Sequence, residues 1–193
     1  LDKKIVGESH FSKIKRIVKF LKKIKSNYLF VSAPENIAWL LNIRGHDNPY
    51  SPIPNCRLLI NDGGKVYLIV EMKKVKKIIK EKKIIKEQVI EPKNFELFID
   101  KLSKNQIIID NKSCSLFYEE ILKKKFIILK KDDPIYYLKS LKNKSEIQNM
   151  IDAHILDGAA LTKFLYWIKK VNTKKLTEYE AQEKLETFRK KNI

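Results

Sequence analysis

The first part of the chain alternates between segments with helical spacing and short, continuous apolar runs. Between Ser9 and Ser26, apolar side chains recur every three or four residues, which predicts an amphipathic helix capped by Ser9 or Ser12. Residues 28–32 predict a buried strand, and Pro34 opens a short helix that follows it. This order of elements is typical of an α/β domain.

The middle of the chain repeats that alternation. Two β-rich runs, residues 57–60 and 65–70, flank the turn Asn61-Asp62-Gly63-Gly64 and predict a β-hairpin. Three helix-then-strand units are predicted next, and they are residues 73–81 with 84–90, 94–102 with 106–110, and 115–123 with 126–129. The prediction is therefore an α/β fold with helices that flank a largely buried, mixed sheet.

The pattern changes at the polar segment Lys130-Lys131-Asp132-Asp133-Pro134, where we predict a domain boundary. Residues 1–132 form the α/β domain in this prediction, and residues 133–193 are purely helical. The second of two long helices opens with the capping box Thr177–Glu180. Two helices cannot enclose a core. The apolar stripe of the first, which runs from Ile147 to Ile168, should therefore pack against a partner or drive self-association.

The charge of the chain first suggests an anionic partner. Its 41 Lys and Arg against 23 Asp and Glu give a net charge of +18, which fits nucleic acid or an acidic membrane surface. Only four of the basic residues are arginine, the residue that grips phosphates and guanine edges best. Lysine is spread along the whole chain with abundant Ile and Asn, so compositional drift explains the charge better than a dedicated nucleic-acid site.

Several classes of chemistry lack their motifs. The sequence contains no glycine-rich phosphate loop, no HExxH and no GxSxG. Cys56 and Cys114 are far apart, which leaves zinc and a disulfide framework unsupported and favours a reducing cytoplasm. No apolar run approaches the ~20 residues of a membrane span. We therefore assign no catalytic residue and no metal ligand in this chain.

Two isolated polar residues invite a functional interpretation, but a structural one is favoured for each. His154 lies on the apolar stripe and is expected to be a hydrogen-bonded core or rim histidine. Asp110 ends a predicted strand, where α/β proteins often place functional carboxylates, yet a turn-forming role with Asn111 is favoured.

The segment Asn36-Ile37-Ala38-Trp39-Leu40-Leu41-Asn42-Ile43-Arg44-Gly45-His46-Asp47 is the strongest candidate for function. An apolar helix delivers Arg44, His46 and Asp47 to a loop that contains a glycine and several prolines. A fixed guanidinium there could meet a carboxylate or a peptide carbonyl at the rim of a cleft. The alternative is an Arg44–Asp47 pair that only holds the loop, and residue chemistry alone favours it.

This segment resembles the WLLNxRGxD stretch in the second domain of aminopeptidase P of the three-domain type, the Xaa-Pro aminopeptidases. The resemblance extends on both sides in collinear order. It includes Gly7-Glu8-Ser9-His10 near the start, Asp133-Pro134-Ile135 with Lys139-Ser140-Leu141-Lys142-Asn143, and Ala153-His154 with Asp157-Gly158-Ala159-Ala160-Leu161.

The resemblance implies that residues 1–132 are a domain of the creatinase N-terminal type and that residues 133–193 begin a pita-bread metallopeptidase domain. It implies a longer cytoplasmic protein that removes an N-terminal residue before proline with two divalent metals, commonly manganese. The metal ligands would lie beyond Ile193, so this part would be inactive alone and would shape the substrate cleft. The chain's start at Leu1, without an initiator Met, agrees with that expectation. A basic α/β nucleic-acid-binding module remains the alternative, and DNA or RNA binding that survives physiological salt would favour it.

Overall fold

The computed structural model describes residues 1–103, 105–171 and 175–191. The chain forms two compact units, Leu1–Leu141 and Lys142–Ile193. The predicted domain boundary between residues 132 and 133 stays a prediction, since compactness alone does not define a family domain. The helix that follows Pro134 nevertheless packs in the first unit, where Ile135 is fully buried.

The first unit is an α/β layer structure. Its helices are α1 (Lys3–Val6), α2 (His10–Lys23), α3 (Pro34–Leu40), α4 (Lys76–Lys80), α5 (Phe95–Asp100), α6 (Leu116–Lys123) and α7 (Pro134–Ser140). Its strands are β1 (Tyr28–Val31), β2 (Arg57–Asn61), β3 (Val66–Ile69), β4 (Val89–Ile90), β5 (Gln106–Ile109) and β6 (Ile127–Lys130). Ser9 is the residue that caps α2, through a bond from the Ser12 amide to its hydroxyl.

The six strands form one mixed sheet in the order β4-β3-β2-β1-β5-β6. Strand β2 is antiparallel to both of its neighbours, β1 and β3, and the other pairings are parallel. The predicted hairpin and the predicted mixed α/β sheet are therefore confirmed. One consequence matters for function: the start of β2 and the end of β3 lie together at the edge where β1 also ends.

Both faces of the sheet are covered by helices, which explains why β1 is apolar at every position. Leu29 and Val31 point to a core layer with α2 and α3, whereas Tyr28 and Phe30 point to a layer with α5 and α6. The two-residue period of the strand thus divides its side chains between two separate hydrophobic layers.

The unit predicted at residues 73–81 and 84–90 has its helix and its strand in the predicted order, but both are shorter than predicted. A 3-10 turn at Met72–Lys74 precedes the five-residue α4, and the strand is only Val89–Ile90. Gln88 explains the short strand, because its side chain accepts from the Ile85 amide and donates to the Val66 carbonyl, which stabilises the 3-10 turn Lys86–Gln88. Local side-chain bonds of this kind compete with a strand ladder.

The second unit consists of α8 (Lys144–Ile168) and α9 (Glu178–Lys190). Thr177 and Glu180 form the predicted capping box, and Arg189 joins the helices through an ion pair with Asp157 at 2.7 Å. Among the described residues of α8, only Ala160 is buried. Ile147 and Ile151 are each 48% exposed, so the apolar stripe is solvent-accessible in this unit.

Candidate functional site

The candidate site begins where α3 ends. The Ile43 amide donates to the Ala38 carbonyl and the Asn42 amide to the Trp39 carbonyl, which is the pattern of a Schellman motif. Asn42 adopts the left-handed conformation that this motif requires, with φ of 54°. Asparagine tolerates that conformation better than other residues with a side chain. The chain therefore leaves the helix sharply and enters the loop of residues 43–56, called the 43–56 loop below.

Gly45 is essential to the shape of the 43–56 loop. A Cβ atom at this position would lie 2.5 Å from the Cα atom of Pro54, a distance that side chains do not reach. The Gly45 amide also donates to the Pro52 carbonyl over 3.0 Å. The two arms of the loop thus touch backbone to backbone, and the residues on either side of Gly45 are held in place.

Asp47 ties the 43–56 loop to the segment that follows β3. Its carboxylate accepts from the Lys74 ammonium at 2.6 Å and from the Asn55 amide at 2.7 Å. Two hydrogen bonds lower the pKa of Asp47. The larger effect comes from Lys74 and the smaller from the Asn55 amide. The same contact raises the pKa of Lys74. Both residues are therefore charged near neutral pH.

Arg44 does not form the pair with Asp47 that the sequence alone favoured. Its Nη1 atom donates to the Ile43 carbonyl at 2.8 Å and more weakly to the Ala38 carbonyl at 3.5 Å. Within the described part of the chain, no hydrogen bond is made by Nε or Nη2. One side of the guanidinium is thus anchored to the end of α3, and the other side keeps donors for a further group.

A pocket of about 420 Å³ lies between the 43–56 loop and the start of α4. Its lining brings the three predicted residues together and adds two lysines; the charged and titratable groups are Arg44, His46, Asp47, Cys56, Lys74 and Lys77. The lysines were missed because they follow Asp47 by 27 and 30 positions and belong to a stretch of many lysines. Only the folded chain distinguishes them from their neighbours.

The chemistry of the pocket is that of an anion-accepting surface. Asp47 is the one carboxylate among the lining residues described, and Lys74 already neutralises it. Arg44, His46 and Lys77 remain as potential donors to a negative or carbonyl oxygen. Burial raises the pKa of the Cys56 thiol to about 12, so this group stays protonated and is no thiolate nucleophile.

The other residues considered in the sequence have structural surroundings. Asp110 is buried and accepts from the Lys112 amide and the Ser113 hydroxyl, as expected for a turn-forming aspartate. His154, predicted as a hydrogen-bonded core or rim histidine, is exposed on α8 and so does not lie in the core; its Nδ1 atom is 2.7 Å from the Met150 carbonyl oxygen. The described residues include no cluster of three or more His, Cys, Asp or Glu suited to a metal ion. No helix in the described ranges has the length and hydrophobicity needed to cross a bilayer.

Comparison with known proteins identifies the fold and the family. Residues 1–146 match the family model of the creatinase/prolidase N-terminal domain. Xaa-Pro aminopeptidase 1 of Dictyostelium discoideum is 35% identical over 195 residues, which cover 98% of this chain and 31% of that protein.

Solved structures agree on the fold. An X-prolyl aminopeptidase from Caenorhabditis elegans, described as a cytosolic enzyme with a di-nuclear active site, superposes with a TM-score of 0.82 at 22% identity over 98% of this chain and 32% of that one. An Xaa-Pro dipeptidase from Bacillus anthracis has a TM-score of 0.72 at 15% identity, with coverage of 95% and 49%. The chain spans about a third of the length of the aminopeptidases from Dictyostelium and Caenorhabditis. The chain belongs to the creatinase/prolidase N-terminal domain family, and the Xaa-Pro aminopeptidase of Dictyostelium matches it along almost its whole length.

Proposed function

We propose that this chain is part of a metal-dependent aminopeptidase that releases an N-terminal residue preceding proline. The observation that carries the proposal is the collinear similarity of 98% of the chain to the Dictyostelium Xaa-Pro aminopeptidase. The Caenorhabditis neighbour, with its cytosolic location and di-nuclear centre, supports a cytoplasmic enzyme with two divalent metals, manganese being the expected ion. The matches give no support to the nucleic-acid-binding alternative.

The metals do not fit the residues of this chain. A di-nuclear centre needs several carboxylate or imidazole ligands in one place, and the described residues offer no such group. The ligands would accordingly come from outside this chain. A divalent pair would supply an activated water and polarise the scissile carbonyl. The contribution of this chain would be to bind and orient the substrate.

The pocket at the 43–56 loop is the part of the chain suited to that contribution. We assign Arg44, His46 and Asp47 to the rim of the substrate cleft. Arg44 offers unused guanidinium donors to a carbonyl or carboxylate oxygen of a short peptide, and Asp47 keeps the loop in place through Lys74. A rim built from this loop, whose two arms are in close backbone contact at Gly45, would also restrict the cleft to short peptides.

The enzyme proposal is tested with the full-length protein and with the 193-residue chain alone. Each is supplied with manganese and an Xaa-Pro peptide, and the Xaa-Ala peptide of the same length is the matched control. We expect the full-length protein to release the first residue from the Xaa-Pro peptide only. The chain alone should not exceed a metal-only blank. Turnover by the chain alone, or none by the full-length protein, would contradict the proposal.

The rim assignment is tested with Arg44→Ala in the full-length protein. Loss of a group that binds substrate raises KM while kcat stays close to its original value. Arg57→Ala is a suitable control, because Arg57 makes a comparable bond to the Cys56 carbonyl but does not line the pocket. An unchanged KM in Arg44→Ala would show that this guanidinium has no part in substrate binding.

A further inference from the structure

Lys13 is a buried cation in the middle of α2. It is 1% exposed and is among the largest fully buried side chains. Its ammonium donates to the Trp39 carbonyl at 2.9 Å and to the Asn42 side-chain oxygen at 2.8 Å. It also lies 4.0 Å from the centroid of the Trp39 ring.

Burial of an ammonium group is unfavourable unless its N–H groups are hydrogen-bonded and its charge is balanced by nearby polar groups. An apolar residue at this helical position would pack beside Ile14 and Ile17 at no such cost. These three contacts of Lys13 converge on one structure, the end of α3. The Trp39 carbonyl belongs to the last turn of that helix and accepts a long, 3.4 Å bond from the Asn42 amide beside the one from Lys13. Asn42 is the left-handed residue that ends it.

Asn42 is held from both sides of its amide group. Its oxygen accepts from Lys13, and its nitrogen donates to the Glu8 carbonyl at 2.9 Å. Glu8 is fixed in turn by an ion pair with Arg16 on α2. The turn at Asn42 is therefore tied to α2 by side-chain bonds that the backbone conformation alone does not require.

The turn at Asn42 sets the position of Arg44. Only Ile43 separates the two residues, and the side chain of Ile43 is buried in the core. The Arg44 guanidinium then donates back to the carbonyl of Ile43. A change in the direction in which the chain leaves α3 would consequently move the guanidinium relative to the pocket.

We infer that Lys13 is a positioning residue for substrate binding, which acts by fixing Asn42 and through it the place of Arg44. The inference rests on the proposed function, because it assigns Lys13 to the same substrate site. It goes beyond that function in naming a buried lysine on a different helix, which is not among the residues that line the pocket, as a determinant of KM.

The test is steady-state kinetics of the full-length protein with Lys13→Met, which keeps the length of the apolar stem and removes the ammonium. We expect KM for the Xaa-Pro peptide to rise about tenfold, with kcat within about twofold. Lys19→Met is the matched control, because Lys19 is an exposed lysine of the same helix. It should leave both constants unchanged. A Lys13→Met enzyme with lower thermal stability and an unchanged KM would overturn the inference.

A double variant separates positioning from an independent effect. If Lys13 acts through Arg44, the Lys13→Met/Arg44→Ala enzyme should have the KM of Arg44→Ala alone. A KM raised by the product of the two single effects would overturn the inference. If Lys13→Met does not fold, Asn42→Gly replaces it, because glycine keeps the left-handed turn and removes only the side-chain tie. The same rise in KM is then expected.

A measurement without turnover keeps this inference distinct from the proposed function. In the 193-residue chain, Lys13→Met should shift the NMR resonances of the Arg44 side-chain Nε and the amides of residues 43–47, and Lys19→Met should not. Unchanged resonances in Lys13→Met would contradict positioning by Lys13. Absence of turnover by the unaltered full-length protein would instead contradict the proposed function.

Discussion

The substitution Gly45→Ala tests whether the 43–56 loop is locked in the way described. The added methyl group would lie 2.5 Å from the Cα atom of Pro54 and 2.8 Å from its Cβ atom. Non-bonded carbon atoms prefer a separation of about 3.5–4.0 Å. The two arms of the loop would therefore have to separate by roughly 1 Å, and Pro54 has a fixed φ that limits its adjustment.

The cost can be worked out from three contributions. Overpacking of this kind destabilises by about 1–3 kcal/mol. Stretching the bond between the Gly45 amide and the Pro52 carbonyl, now 3.0 Å long, removes about 1 kcal/mol more. Alanine lowers the conformational entropy of the unfolded chain, which stabilises the folded state by about 0.4–1 kcal/mol. We expect the free energy of unfolding to fall by about 1–3.6 kcal/mol.

Urea unfolding of the chain, followed by circular dichroism, measures this change. Gly63→Ala is the matched control in the same unit, because its Cβ atom would lie 3.4 Å from the Asn61 side-chain oxygen, an ordinary contact. Its unfolding free energy should stay within about 0.5 kcal/mol of the original. Equal urea midpoints for Gly45→Ala and the unaltered chain would refute the close approach of the loop arms.

Three further predictions concern other parts of the chain. Gly158→Ala should stabilise α8 by about 1 kcal/mol, since its Cβ atom would meet nothing within 4 Å; lower helicity on thermal unfolding would contradict this. The lowered pKa of Asp47 means that its pair with Lys74 stabilises the fold above its usual pKa of 3.8 and stops doing so as the pH falls further. Asp47→Asn should thus reduce the free energy of unfolding that is lost on acidification, by less than about 1 kcal/mol because the pair is solvent-accessible. Urea unfolding at several pH values measures this loss, and the same loss in Asp47→Asn and the unaltered chain would contradict the prediction. The chain should self-associate through the exposed face of α8, and Ile151→Glu should reduce this in sedimentation; a strictly monomeric unaltered chain at high concentration would disprove it.

The α/β fold could be predicted because its signals are local. Continuous apolar runs such as residues 28–31 indicate a strand buried on both faces, and the turn before Lys65 indicates a hairpin. The strand predicted at residues 84–90 was too long, because the Gln88 side chain stabilises a 3-10 turn at Lys86–Gln88 and only Val89–Ile90 pair with β3. The acceptor of that side chain, the Val66 carbonyl, lies 22 positions away in the sequence, so the local pattern does not reveal the bond.

The candidate site, like the fold, could be predicted only where its signals are local. Arg44, His46 and Asp47 are close in sequence, so their common location followed from one segment. The partner of Asp47 could not be predicted, because several lysines between positions 73 and 83 are equivalent in pattern and only Lys74 reaches the carboxylate.

Lys13 shows why a periodic pattern can hide a functional residue. Its neighbours in sequence are Ser12 and Ile14, and a lysine beside the apolar face of a basic helix is normally a solvated one. The side chain turns inward only because α3 ends within reach with two acceptors, the Trp39 carbonyl and the Asn42 amide oxygen. Those acceptors exist because Asn42 stops the helix there. The turn and the lysine therefore depend on each other. The spacing of apolar residues within a single helix predicts neither of them.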